Sequence, residues 1–173
     1  MKPSALFLVL SLAAAPGFVA AAPATAPVTR DPVDVASHYS GQWLEIARRP
    51  MLLTRDCVAS TTDYTPRPDG GIDVLDACYR DGKRVQIAGR GEILDPGIQA
   101  RLKVTYNPLI VWEYQVLHRD PAGAWFISSD PKFRNLFIFA RKRPTEAEQK
   151  AMVEKAAALG YDVSQLEFPS LDR

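Results

Sequence analysis

Three sets of residues in this 173-residue chain are of types that do chemistry. Ser128 and Ser129, with His118 and either Asp120 or Asp130, supply the parts of a hydrolytic triad, in which an imidazole takes a hydroxyl proton and a carboxylate holds the imidazole. No G-x-S-x-G turn presents either serine as a nucleophile, so chance assembly explains the set better than catalysis. His38 and His118 are the only histidines; they lie far apart without ligand-spaced partners, which argues against a zinc site or a histidine-ligated haem. The "HRD" at 118–120 has neither a glycine-rich phosphate loop nor a DFG to accompany it. The sequence therefore predicts no catalytic residue, no metal and no cofactor. The third set is "GQWLEIARRP", residues 41–50. In an extended chain Trp43, Glu45 and Ala47 share one face, and a carboxylate beside an indole on a buried face is costly unless something satisfies it.

The elements that must position these residues are mostly strands. Runs of strand composition recur at 43–49, 57–65, 71–80, 83–94, 99–106, 111–119, 123–129 and 136–142. Turn chemistry separates several of them: "PRPDGG" at 66–71, "RDG" at 80–82, "DPG" at 95–97, "NP" at 107–108 and "DPAG" at 120–123. Eight short strands joined this way predict an antiparallel sandwich or barrel. One helix follows. Thr145 and Glu148 form a T-x-x-E capping box, Met152, Val153, Ala156 and Leu159 fall at helical spacing, and Gly160 supplies the stop. The helix should lie against the outside of the sheet, and "YDVSQLEF" after it is a candidate for one more short strand.

Both cysteines fall in the hairpin spanning 57–80. If its strands pair symmetrically about Pro66 to Asp69, Cys57 faces Cys78 and Tyr64 faces Gly71; cysteines at a non-hydrogen-bonded pair lie close enough to be bridged. Two free buried thiols are the alternative. Compartment bears on the choice. Residues 1–22 combine Lys2, the apolar run "ALFLVLSLAAA" and small residues toward Ala21 and Ala22, the pattern of a secretory leader too short at its apolar centre to anchor in a bilayer. Export to an oxidising compartment favours the disulfide. No cysteine stands at the junction, so no lipobox is expected, and the predicted location is across the inner membrane, soluble in the periplasm. Residues 23–32, "PATAPVTRDP", read as a flexible lead-in, and 33–173 as one domain of ordinary size. The net charge is +1, and loss of Lys2 with the leader makes the remainder formally neutral. The basic field of a nucleic-acid binder is missing, the densest cluster being "RKRP" at 141–144.

At this point the residues carry a family resemblance. "V-D-x-x-x-Y-x-G-x-W-x-E-I-A-R", from Val33 through Tyr39, Gly41, Trp43, Glu45, Ile46 and Ala47 to Arg48, resembles the first signature of the bacterial lipocalins, the apolipoprotein D-like branch of that family. "DGGIDVLDACYRDGK", "RLKVTY", "YQVLHRD" and "NLFIFARKRPTEAEQKAMVEKAAALGYDVSQL" follow in the family's order, so the resemblance spans about residues 33–168. It departs at "DPAGAW", where Gly123 stands at an expected aromatic position and Trp125 comes two residues later. The resemblance implies an all-β, eight-stranded antiparallel up-and-down barrel, open at one end, with one C-terminal helix packed outside. It also implies a barrel floor of Gly41, Trp43 and Arg141, the guanidinium lying against the indole.

Such a barrel has room for its own side chains or for one small ligand. Strand alternation directs Glu45 and Ala47, Leu102, Val104 and Tyr106, Trp112 and Tyr114, and Phe137 and Phe139 inward as the ligand-binding wall, with Ala47, Gly89 and Gly91 leaving space between the aromatics. By resemblance the ligand is a fatty acid or lysophospholipid, held for lipid transport, storage or envelope maintenance. Transient membrane contact and a monomeric or homodimeric state are expected. A barrel enzyme acting on a lipid-like substrate, and a cavity-free structural or interaction protein with a filled core, are the competing classes.

Overall fold

A computed structural model describes residues 25–27 and 29–173. The expected leader at 1–22 and part of the lead-in, Pro23, Ala24 and Val28, lie outside the described residues. A one-turn helix, α1 (Val35–His38), precedes eight strands: β1 (Gly41–Arg48), β2 (Val58–Pro66), β3 (Ile72–Arg80), β4 (Lys83–Ile93), β5 (Arg101–Asn107), β6 (Ile110–Arg119), β7 (Trp125–Ser129) and β8 (Leu136–Ala140). Helix α2 (Glu146–Ala158) follows. Each strand pairs antiparallel with the next, and β8 returns to β1, closing the barrel. Short connections make this order the natural one, and closure leaves no sheet edge exposed.

The apolar residues form two cores divided by the sheet. Val74, Leu102, Val104, Val116, Phe126, Phe137 and Phe139 belong to the inner one. Ile46, Ala47, Leu117, Ile127, Leu136, Ile138 and Ala140 meet Met152 and Ala156 of α2 in the outer one. The helix thus covers one side of the barrel, and every residue of β8 is buried. That is why "LFIFA" reads as a continuous apolar run: its two faces serve different cores. The capping box forms at the start of α2, with Thr145 N donating to Glu148 Oε2 at 2.7 Å and Glu148 N donating to Thr145 Oγ1 at 3.3 Å. Gly160, at φ +91°, takes the left-handed conformation that ends it.

Two local expectations are corrected. The segment "YDVSQLEF" forms no strand; it makes a 3-10 turn over Val163–Gln165 and a single bridge between Glu167 and Arg48. Asp162 caps that turn by accepting from Ser164 N, local chemistry that competes with an extended chain. The β2–β3 register is also different: Tyr64 faces Val74, not Gly71. The turn between them is wider than the symmetric one assumed. Arg67 N donates to Gly71 O at 2.9 Å, Asp69 Oδ1 accepts from Gly71 N at 3.0 Å, and Gly70 sits at φ +82°. The disulfide forms nonetheless, because an irregularity between Val58 and Thr61 draws the start of β2 back and leaves the Cys57 and Cys78 Cα atoms 5.5 Å apart. The described part of the lead-in lies against the barrel. Ala26 N donates to Pro131 O at 3.2 Å, and Gln115 Nε2 donates to Pro27 O at 2.8 Å.

The closed end is built around Trp43. Its indole Nε1 donates to His38 O at 3.0 Å, and the Phe126 ring meets it edge-on at 4.7 Å. The Arg141 guanidinium carbon lies 3.5 Å from the indole centroid. Arg141 also donates to the carbonyls of Ser37, Ser40 and Gln42 at 2.7, 2.7 and 3.0 Å. Gly41, at φ +61°, bends the chain so that these carbonyls converge, and a Cβ there would stand 3.6 Å from the Arg141 Nη1. Above them the α1 segment is tied to the loop after β4 by Val33 N donating to Ile98 O at 2.7 Å and Tyr39 OH donating to Gln99 O at 3.0 Å.

Two outcomes are expected. Trp43→Ala should destabilise by about 3–5 kcal/mol through loss of a buried aromatic, and a double-mutant cycle with Arg141→Ala in urea should return a coupling of about 0.5–2 kcal/mol; strict additivity would contradict the stacking. The unreduced protein should show no thiol that alkylates. Replacing Cys57 and Cys78 together with serine should cost about 2–4 kcal/mol while the far-ultraviolet sheet signal is retained.

Candidate functional site

The barrel interior is not filled. A cavity of about 330 Å³ runs from the floor, where His38, Tyr39 and Phe126 bound it, to the mouth at Leu53 and Ile110. The strands explain which end opens. The β1–β2, β3–β4, β5–β6 and β7–β8 connections lie at the end away from Trp43, and residues between β1 and β2 form a 3-10 turn, Leu52–Thr54, beside the opening.

Most of the residues expected to line the cup do bound this cavity: Leu102, Val104 and Tyr106 from β5, Trp112 and Tyr114 from β6, and Phe137 and Phe139 from β8. The aromatics form a connected wall. Phe139 stacks on Phe126 at 5.0 Å and on Phe137 at 6.1 Å, and Tyr114 meets Phe137 edge-on at 5.9 Å. Glu45 and Ala47 are placed differently. A bulge between them in β1 sets Glu45 against Phe139 and Ala47 against Ile138, so Ala47 leaves the Glu45 face and is buried in the outer core beside α2. One extra residue in a strand reverses every later side chain. Gly89 and Gly91 do not leave open space either. A Cβ at Gly89 would meet Val104 at 2.8 Å and Tyr106 at 2.9 Å, and one at Gly91 would meet Leu102 at 3.0 Å. Both glycines are room already taken by side chains of β5.

The same bulge brings Arg48 inside, and Arg48 is what satisfies Glu45. Its guanidinium, 2% exposed, lies 2.5 Å from Glu45 Oε1 and 2.5 Å from Glu167 Oε1. It also donates to Ser60 Oγ at 3.1 Å and to the carbonyls of Thr54 and Cys57 at 2.9 and 3.0 Å. Burial pushes the Glu45 carboxyl upward, and the charge of and hydrogen bond from Arg48 oppose that rise. Breaking such a pair would strand a buried charge. Glu45 is therefore part of a fixed network below the mouth and not one of the residues bounding the cavity.

Sequence reading missed three polar groups of the cup. Asp76 projects from β3 with Val74 and Cys78, accepting from Thr62 Oγ1 at 2.5 Å and from the Tyr106 hydroxyl. Alternation with Val74 places it inward, though a lone aspartate in a strand has no motif around it. Burial raises its carboxyl above the ordinary range, and the hydrogen bonds from Thr62 and Tyr106 hold it down. His38 bounds the floor of the cavity with neither ring nitrogen bonded to the protein. Burial, helped by Arg119 and Arg141, pushes its imidazole down to about 3, so it is neutral. Arg80, at the mouth, donates to Arg55 O at 3.1 Å and to Leu53 O at 3.0 Å.

The triad-like residues are not brought together. Ser128 bounds the cavity, whereas Ser129 donates to Asp130 O at 3.0 Å and His118 packs on Trp125 at 4.9 Å. Another irregularity, between Val116 and His118, puts His118 opposite Ile127 of the outer core, so the sheet separates it from Ser128. Among the described residues no group of three or more His, Cys, Asp or Glu side chains is placed to hold a metal, and no helix is long and apolar enough to cross a membrane.

Comparison with known proteins agrees with this geometry. Residues 33–170 match the model of the lipocalin-like domain. Temperature-induced lipocalin-1 of Arabidopsis thaliana is 36% identical over 138 residues, 74% of each chain. Outer membrane lipoprotein Blc of Escherichia coli K12 is 29% identical over 133 residues, 75% of each chain. Among solved structures, insecticyanin from the tobacco hornworm Manduca sexta has a TM-score of 0.68 at 18% identity, covering 88% of this chain and 87% of that one, a likeness of fold. A closed eight-stranded cup, a floor of tryptophan under arginine and a family match over 33–170 place this chain in the lipocalin family.

Proposed function

We propose that the protein is an exported carrier that takes one small hydrophobic ligand into its barrel, a fatty acid or lysophospholipid, for lipid transport, storage or envelope maintenance. The observation that carries this reading is the aromatic-walled cavity of about 330 Å³ that reaches the open end of the barrel. Its volume falls at the small end of the range of about 300–1,000 Å³ typical of ligand pockets. Binding is apolar transfer into a preformed cup. Each buried methylene contributes about 0.8 kcal/mol, and lost ligand freedom removes several kcal/mol, so affinity near micromolar follows. The cavity disfavours a filled-core interaction protein. The separation of His118 from Ser128 by the sheet disfavours a hydrolytic barrel, so the protein acts by binding and not by turnover.

Export rests on the leader-like pattern of residues 1–22 and agrees with the Cys57–Cys78 bridge. Transient contact with a membrane is supported at the mouth. Leu52, Leu53 and Leu109 are 76, 59 and 94% exposed on two different loops of that end, an unusual display for a soluble surface. Exposed Arg55, Lys83, Arg84, Lys132 and Arg134 stand on the loops and strand ends there, outnumbering exposed Asp56 and Asp81. Apolar tips within a basic ring fit an anionic bilayer surface.

Palmitate should displace an apolar fluorescent probe from the wild type. Phe137→Glu should abolish probe binding, since a carboxylate beside an acyl tail is poorly solvated, with circular dichroism showing an intact sheet. Equal displacement in both proteins would remove Phe137 from the wall, and no displacement in either would remove the carrier function. In flotation assays, vesicles containing phosphatidylglycerol should retain more protein than pure phosphatidylcholine vesicles. Leu53→Asp with Leu109→Asp should release it, and no retention of the wild type on either vesicle would exclude the membrane contact.

A further inference from the structure

The charged and polar groups within the barrel are not balanced. Two carboxylates, Glu45 and Asp76, lie within it. Arg48, the buried guanidinium beside Glu45, is bound to Glu45 and Glu167 and to three further oxygens. Arg80, the cation bounding the mouth of the cavity, is bound to two backbone carbonyls. His38, at the floor, is neutral. Asp76 is left with Thr62 and Tyr106, both uncharged donors. It forms no ion pair among the described residues; Asp63 is the charged group that acts on it most strongly, and it is a like charge.

A carboxylate has two oxygens and about four lone-pair sites, so one donor on each oxygen leaves acceptor capacity on both. Asp76 is also on the cavity wall, where a ligand reaches it directly. A ligand carboxylate at that level adds a second like charge in a medium that screens poorly, whereas an ammonium group supplies the missing counter-charge and a hydroxyl supplies a donor. The phenols around it, Tyr64, Tyr106 and Tyr114, are kept protonated by burial, which raises each above its ordinary value. They offer hydrogen bonds and no charge.

We propose that the cup is selective for headgroup charge at Asp76: among single-chain amphiphiles of equal length it prefers a protonated amine, then an alcohol, over a carboxylate. This rests on the carrier reading above and narrows it, ranking the free fatty acid below ligands with a cationic or neutral headgroup, because it turns the polar end of the ligand inward to the middle of the barrel and the tail toward the aromatic walls. The opposite orientation, with a carboxylate among the basic residues of the mouth and only methylenes beside Asp76, would give the reverse order.

The test is displacement of an apolar fluorescent probe by dodecylamine, dodecanol and dodecanoate at pH 7, each below its critical micelle concentration, with the full chain. Dodecylamine should displace at a concentration lower than dodecanoate by about tenfold, the equivalent of one pKa unit of differential interaction, with dodecanol between them. Asp76→Asn removes the charge while its amide oxygen accepts from one of the two hydroxyls and its NH2 donates to the other, so the three should then fall within about threefold of one another, each read against that variant's own probe affinity. Dodecanoate binding as tightly as the amine in the wild type overturns the proposal. So does an amine preference that persists in Asp76→Asn. If that variant loses its sheet by circular dichroism, the order in the wild type decides alone, read again by native mass spectrometry. Binding without charge preference defeats the selectivity and leaves the carrier standing; failure of probe and amine alike to bind defeats both.

Discussion

Everything inside this barrel depends on the seam where β8 meets β1. A twisted sheet of eight strands can splay open or close, and only closure creates an interior. Backbone pairing from Leu44 to Arg48 against Phe137 to Ala140 makes the seam. Arg141, one residue past β8, then fastens it at the bottom by gripping three carbonyls of the 37–42 segment while lying on Trp43. A guanidinium suits this place because its donors are planar and fixed, and its face remains free to stack. Lysine offers a point charge and no plate. The floor is therefore a covalently distant but directional joint, and Gly41 is its bend.

The bulge in β1 does a second job at that seam. Without it, Ala47 would continue the inward row begun by Trp43 and Glu45, and Arg48 would face α2. With it, a small residue meets the helix, where Ala156 packs with no exposed surface, and the arginine turns in to meet Glu45. Glu167, beyond the helix, reaches back to the same guanidinium and bridges to the Arg48 backbone. The chain's C-terminal segment is thus tied to the cup wall through one side chain, which joins the outer core to the inner one electrostatically as well as sterically.

The strands were legible because their signal is local. Alternation in "RLKVTY" and turn residues such as "DPG" mark an element without reference to its partners, and Thr145 with Glu148 marks the helix start in the same way. Register was less legible. Whether Tyr64 faces Gly71 or Val74 depends on how the backbone from Arg67 to Gly71 closes its turn, and the side on which Ala47 falls depends on the pairing of β1 with a strand some ninety residues later. The disulfide was expected from compartment and from register; the bridge forms, but in a register other than the one that was to bring the cysteines together. The aromatic wall followed from alternation within β5, β6 and β8, but Asp76, equally inward by alternation, went unread because a lone aspartate in a strand has no motif around it.

Gly89 has a consequence of its own. The Tyr106 ring occupies the position a side chain at residue 89 would need, and the hydroxyl of that ring is one of two donors to Asp76. A residue with no functional group on β4 thus governs the solvation of a carboxylate on β3 through a phenol on β5. Any substituent at 89 would have to swing the phenol aside, baring one carboxylate oxygen and changing the shape of the cup in the same step. Divergence among descendants of this sequence can therefore alter what the barrel accepts through a position that never touches the guest.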